Sequence, residues 1–232
     1  MAQIGIRPTY LEPYAGIYEV SDVARMVRAT ARLPDVPYTV NSRHIIRWIR
    51  KGLALPPLAD VPGRELLISF EDLISMRVIA LLRASGITWK KIYVAERWLR
   101  EHTGASRPFA TEVVWTASRE IFADREGALI AASLGGQYPF LELVKQYLVP
   151  VAGLTFDERR IAASWSPDED ILLDPTIQFG EPCIRGTRIP TRTLWSMHEG
   201  GDSSDFIASV YSLKRRQVEE AIAWENRLAT VA

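Results

Sequence analysis

Apolar positions recur at helical spacing from Tyr18 onward. Val23, Ala24 and Val27 share one face behind the capping residues Ser21 and Asp22, which predicts a first helix. Ile45, Ile46, Trp48 and Ile49 repeat the pattern after Asn41 or Ser42, and Gly52 ends that second helix. Turn residues around Gly63 precede a short apolar run from Glu65 to Ser69, read as a strand of a hairpin. Ser69, with Glu71 and Asp72 behind it, starts a third helix that closes on Gly86, and Thr88 caps a fourth.

Farther on the period changes. Between Glu112 and Ser133 the alternation predicts strands, with a hairpin turn over residues 124–127, and Phe140, Leu143, Val144 and Tyr147 mark a helix. Strands follow at Leu154 to Phe156 and at Ile161 to Trp165, and Ile171 to Leu173 joins their sheet. After residue 190 the helical period returns. Leu194, Trp195 and Met197 form one face, stopped by Gly200 and Gly201. Asp202 or Ser203 caps a helix with Phe206, Ile207 and Val210, and Ser212 caps a third with Val218, Ala221, Ile222 and Trp224.

These elements imply a mainly helical α+β chain. Residues 1–16 form an arm and 17–102 a winged helix-turn-helix unit, in the order helix, cationic helix, hairpin, helix, helix. Residues 103–109 read as a linker, 110–170 as a small α+β layer, and 171–232 as a three-helix bundle of helix-turn-helix type.

Charge sharpens this division. Lys and Arg total 28, as do Asp and Glu, so the net charge is zero. From Tyr18 to Arg100 there are 14 basic against 8 acidic residues, and from Glu101 onward 13 against 19. A basic half suits a polyanion. Within it, Asn41, Ser42, Arg43 and His44 stand at a helix N-terminus, where recognition helices reach base edges, and Arg47 lies one turn on. Lys51 closes the same helix, and Arg64 near the wing tip is placed for phosphate. The alternative for these cations is a solvated helix face. Lys214, Arg215 and Arg216, in the first turn of the last helix, offer a second nucleic-acid face.

One cysteine, Cys183, excludes an intrachain disulfide and fits a reducing compartment. With no signal-like N-terminus and no membrane-length apolar run, the expected location is the cytoplasm. No catalytic, phosphate-loop or metal motif is present, so no enzyme, cofactor or metal is expected. The acid-rich stretches at Asp157-Glu158 and Asp168-Glu169-Asp170 read as solvated turns.

The stretch DPTIQFGEPCIRGTRIP, residues 174–190, is too rich in Pro and Gly for a helix, yet its isoleucines and Phe179 call for burial. It reads as an ordered, hairpin-like segment, with Pro190 suited to the first turn of a helix. The pattern DP-x4-G-x-P-x-I-x-G-T-R-I-P and the helices after it, Ile171 to Glu225, resemble the antitoxin-like domain of VapB-type antitoxins. Glu181 departs from the small residue usual there. The resemblance implies a PIN-domain ribonuclease toxin as partner, with an arginine reaching the toxin's carboxylate cluster: Arg185, Arg188 or Arg192 on the ordered segment, or Arg227 in a short tail. Arg188 could instead pair with Asp174 or Glu181. The runs YEVSDVAR, WIRKGL, GRELLISFEDL and LRASGITWKKI resemble the MerR-type DNA-binding domain, apart from the inserted ARLPDVPYT. That resemblance implies operator DNA and a homodimer, with contact through the Trp89 to Leu99 helix or the middle sheet. Two functions follow as expectations: an antitoxin that neutralises a ribonuclease and represses its own operon, or a MerR-like regulator with a ligand-sensing C-terminal domain and no toxin.

Overall fold

A computed structural model describes residues 16–30, 40–51, 66–84, 86–112, 114 and 153–230. The expected wing tip with Arg64, the strands between residues 115 and 133 and the helix at 139–148 lie outside the described residues.

The N-terminal unit runs β1 (Tyr18–Glu19), α1 (Val20–Thr30), α2 (Ser42–Arg50), β2 (Leu67–Ile68), α3 (Phe70–Ala84) and α4 (Trp89–Thr103). Of the expected helix faces, Val23, Ala24 and Val27 on α1 and Ile45, Trp48 and Ile49 on α2 are buried, whereas Ile46, expected to point inward with them, is half-buried and lies on the side of the α2 cations. Leu67–Ile68 does form a strand, pairing antiparallel with β1 (Tyr18 opposite Ile68), which fastens the start of α1 to the start of α3. Ser69 begins α3 as expected. Its Oγ accepts from the Asp72 amide at 3.2 Å, and Asp72 Oδ2 accepts in return from the Ser69 amide at 3.2 Å.

The stretch read as a linker is packed against this unit. Gly104 ends α4 in the left-handed region, and a 3-10 turn at Pro108–Ala110 buries Phe109 and Ala110 against α3 and α4. Arg107 holds the turn there, its Nε 2.7 Å from Asp72 Oδ1 and its Nη2 3.1 Å from Oδ2. Asp72 is wholly buried, so the carboxylate of this bidentate pair is out of solvent and compensated by the guanidinium.

Beyond it come β3 (Leu154–Phe156), β4 (Ala162–Trp165), β5 (Ile171–Leu172) and β6 (Cys183–Ile184), paired β3–β4 and β5–β6, both antiparallel. Two backbone hydrogen bonds between Trp165 and Leu173, 2.9 and 2.8 Å, join the hairpins, as expected of Ile171 to Leu173. The acidic turns are not simply solvated. Asp157 Oδ1 caps the amides of Arg159 and Ile161, Asp168 pairs with Arg227, and Glu169 and Asp170 pair with Arg216.

The chain ends in α5 (Thr191–Glu199), α6 (Ser204–Tyr211) and α7 (Arg215–Thr230). Pro190 is the N-cap of α5 rather than its first residue, because its ψ of 139° is extended. Ser203, not Asp202, caps α6 by accepting from the Phe206 amide. Ser212 does not cap the third helix: at φ 55° it terminates α6, and the Gln217 side chain takes the Lys214 amide instead. Ile207 is buried, but Phe206 and Val210, expected on the same inner face, are each 53% exposed. On so short a helix only one flank meets α5 and α7. Residues 225–230, read as a tail, are the last turns of α7.

The two units share a core. α7 packs on α1, and Tyr18 Oη donates to Gly180 O at 2.7 Å. The Ile17 amide donates to Phe179 O at 2.9 Å. Arg77, 3% exposed, lies with its guanidinium carbon 4.6 Å from the Trp165 ring centroid and donates to Thr30 Oγ1 at 3.1 Å. Burial pulls its pKa down to about 10, so it stays charged at neutral pH.

Candidate nucleic-acid interface

α2 is amphipathic in an unequal way. Ile45, Trp48 and Ile49 anchor it to the core, and its outer face carries cations. Its N-terminus is closed by a reciprocal cap. Asn41 Oδ1 accepts from the His44 amide at 3.0 Å, while His44 Nδ1 accepts from the Asn41 amide at 3.4 Å. Two expected base-contacting side chains are therefore occupied in shaping the helix end, and Ser42 is its first residue.

Arg43, Arg47 and Arg50 remain. Spacings of four and three place them on one face. All three are exposed, and none is in an ion pair with any described residue. With Ile46 and Lys51 they line one open depression. Lys51 reaches back, its Nζ 5.6 Å from the Trp89 ring centroid, and Tyr93 Oη donates to its carbonyl at 3.2 Å. Arg50 was not among the expected contacts. Its position three residues beyond Arg47 was the available signal.

The second expected face is different. Arg215 is shared between Asp205 (3.2 Å) and Glu219 (2.7 Å), and Arg216 meets Glu169 at 2.8 Å and Asp170 at 2.9 Å. The charge of these two arginines is paired within the domain, while Lys214, the third member of the expected face, is exposed and in no ion pair with a described residue.

The motif at 174–190 is the hairpin-like segment its turn residues demand. Ile184 N–H donates to Ile189 O at 2.9 Å across a turn at Gly186, and Thr191 N–H donates to Pro182 O at 2.9 Å. Asp174 accepts from the Thr176 amide and hydroxyl. Cys183 is a packing residue, its thiol pushed up to about 11 chiefly by burial. The four candidate arginines separate. Arg185 Nε donates to Glu169 O at 2.8 Å, and Arg227 pairs with Asp168 and lies over the Trp224 ring. Arg192 is exposed near Glu225. Arg188 is exposed, and among the described residues it forms no ion pair with Asp174, Glu181 or any other acid. Among the described residues no cluster of His, Cys, Asp and Glu could hold a metal.

These observations can be set beside known proteins. Residues 171–224 match the family described as "Protein of unknown function (DUF433)". The match begins at β5 and ends inside α7, so it takes in the motif and the helical bundle. The crystal structure of Rv2018 from Mycobacterium tuberculosis has a similar fold, with a TM-score of 0.63 at 18% identity over 88% of this chain and 96% of that one. Similarity at that level concerns the fold alone. No curated protein matches the sequence significantly. Among the described residues no helix is long and apolar enough to cross a membrane.

Glu225 lies where α5, α7 and α1 meet. Its carboxyl accepts from Thr191 Oγ1, and burial pushes its pKa up, opposed by that hydrogen bond and by Arg192 and Arg25. The fold thus favours the protonated acid. That contribution is complete below the ordinary carboxyl range and is lost as pH rises through the folded value. Glu225→Gln, which keeps the shape and an acceptor, should melt higher than the native protein near pH 7.5 and level with it near pH 4. Melting curves at the two pH values check this; equal melting at both would place the carboxyl in solvent.

Proposed function

We propose that the chain is a DNA-binding antitoxin, which reads an operator through α2 and neutralises a PIN-domain ribonuclease through the motif at residues 174–190. The observation that carries the first half is the stripe Arg43, Arg47 and Arg50, exposed and without a carboxylate partner among the described residues. Arginine at an exposed helix face can bind guanine edges with two hydrogen bonds, and unpaired cations release counterions when they meet phosphate. The second half draws on the resemblance of the motif and on Arg188. Its guanidinium is held on an ordered hairpin and uncommitted to any described acid, which suits insertion into a cluster of carboxylates. Arg192 flanks it, whereas Arg185 and Arg227 already hold partners.

The second reading is a MerR-like regulator whose C-terminal unit senses a ligand and has no toxin. It is favoured by the contact of α7 with α1, which ties the C-terminal unit to the helix preceding α2.

Co-expression separates the two. The native chain should restore growth to cells making the PIN-domain ribonuclease from an adjacent reading frame, and Arg188→Ala with Arg192→Ala should not. Full rescue by the double variant moves neutralisation to another surface. No rescue by the native chain, with DNA binding retained, leaves the regulator.

A further inference from the structure

Among the residues that line the depression on α2, Ile46 is the apolar one. It stands three residues after Arg43 and four before Arg50, one helical turn from each, and next to Arg47. Ile45 and Ile49 on the same helix are buried in the core, whereas Ile46 is half-buried and shares the outer side with the three exposed arginines. Phosphate would offer such a group only charged oxygens, from which an aliphatic side chain gains nothing. Ile46 therefore asks for something that the cations around it do not.

The floor of a nucleic-acid groove supplies it in one form. Arginine forks pair with guanine O6 and N7, polar atoms that Ile46 cannot serve. Set against the edge of adenine, guanine or cytosine, its carbons would leave a buried donor or acceptor unpaired. The C5-methyl of thymine is the apolar group that the major groove of DNA presents. The minor groove does not display it. RNA carries uracil, which lacks it, and the major groove of an RNA helix is too narrow for side chains to read. Arginines flanking an isoleucine thus fit double-stranded DNA read from the major groove, with thymine close to guanine. The spacing fixes how close. With the helix lying along the groove, a rise of about 1.5 Å per residue puts Ile46 about 4.5 Å beyond Arg43, against about 3.4 Å between base pairs.

We propose that Ile46 reads a thymine methyl, so that the operator of this chain carries a thymine one or two base pairs from the guanine taken by Arg43. This rests on the reading of α2 as the DNA face and adds to it the base that the apolar side chain selects.

The test replaces thymine by uracil, which removes the methyl and nothing else. The full native chain selects duplexes from an unmethylated random pool, in which thymine is the only source of a C5-methyl. These are resynthesised with uracil at each thymine in turn and titrated by fluorescence. At one position near the guanine, affinity should fall about fourfold, the worth of one buried methyl group. Ile46→Ala should bind the thymine and uracil forms of that duplex equally. Ile46→Val drops only the terminal methyl and keeps most of the packing. It should show a smaller penalty than the native chain, and it carries the comparison if the alanine variant loses its fold. Selected duplexes without thymine near guanine overturn the proposal. So does equal native affinity for both forms at every position, or a full native penalty in the folded variants. A native chain that selects no sequence at all removes the DNA reading, and this proposal with it.

Discussion

Arg43→Ala combined with Arg47→Ala is expected to abolish sequence-selective DNA binding while leaving the fold intact. Both side chains are exposed, and neither enters a hydrogen bond or ion pair with a described residue, so their removal costs little stability. A bidentate arginine contact to a base is worth about 1–3 kcal/mol, so two together represent roughly thirty-fold to twenty-five-thousand-fold in affinity. Two lost cations should also flatten the dependence of log K on log salt by about two. Arg50→Ala should weaken binding less, because it lies toward the C-terminal end of α2, away from the end that reaches base edges. The measurement is a fluorescence titration of native and variant protein on DNA selected from a random pool, at two salt concentrations. If the double variant kept native affinity and salt slope, the DNA face would have to be sought elsewhere. If the native protein selected no sequence at all, the DNA-binding reading itself would fall.

Gly180→Ala is expected to be the most damaging single change at the contact of the two units. Gly180 has φ 91°, which a side chain disfavours, and its carbonyl is the acceptor for Tyr18 Oη. A Cβ there would overlap the Tyr18 hydroxyl and lie 2.8 Å from Cζ. Tyr18 cannot step aside, because it is 3% exposed and packs against Phe70. The left-handed backbone costs about 1–2 kcal/mol and the overlap about 1–3 kcal/mol, a fall of roughly 5–15 °C in melting temperature for a chain of this size. Gly186→Ala supplies the control. Its φ is 78°, yet a Cβ would meet nothing within 4 Å, so only the backbone cost applies. Tyr18→Phe in the Gly180→Ala background should recover part of the loss by removing the overlapping oxygen. Equal melting of the two glycine variants would mean that the contact between Tyr18 and the motif is loose in solution.

Much of the framework was legible from local pattern. The faces of α1 and α2, the cap at Ser69, the strands at Leu154 to Phe156 and Ile161 to Trp165, and the hairpin turn at Gly186 each depend on residues a few positions apart. Helical periodicity, capping chemistry and positive φ act over that range. The candidate interface was legible to the same extent, since a run of cations on one helix face is a property of the helix alone.

Tertiary structure decided the rest. Whether an arginine is free or spent depends on acids far away in sequence. Arg227 is held by Asp168, Arg216 by Glu169 and Asp170, and Arg107 by Asp72, while Arg43, Arg47 and Arg188 meet no such acid among the described residues. The same holds for apolar residues. Phe206, Ile207 and Val210 look alike in the sequence, but only the packing of α5 and α7 decides that Ile207 is covered and the other two are not. Composition decides how many charges and apolar groups a chain carries. Long-range contacts decide which remain available to a partner, because an ion pair or a buried face is a relation between two segments and belongs to neither alone.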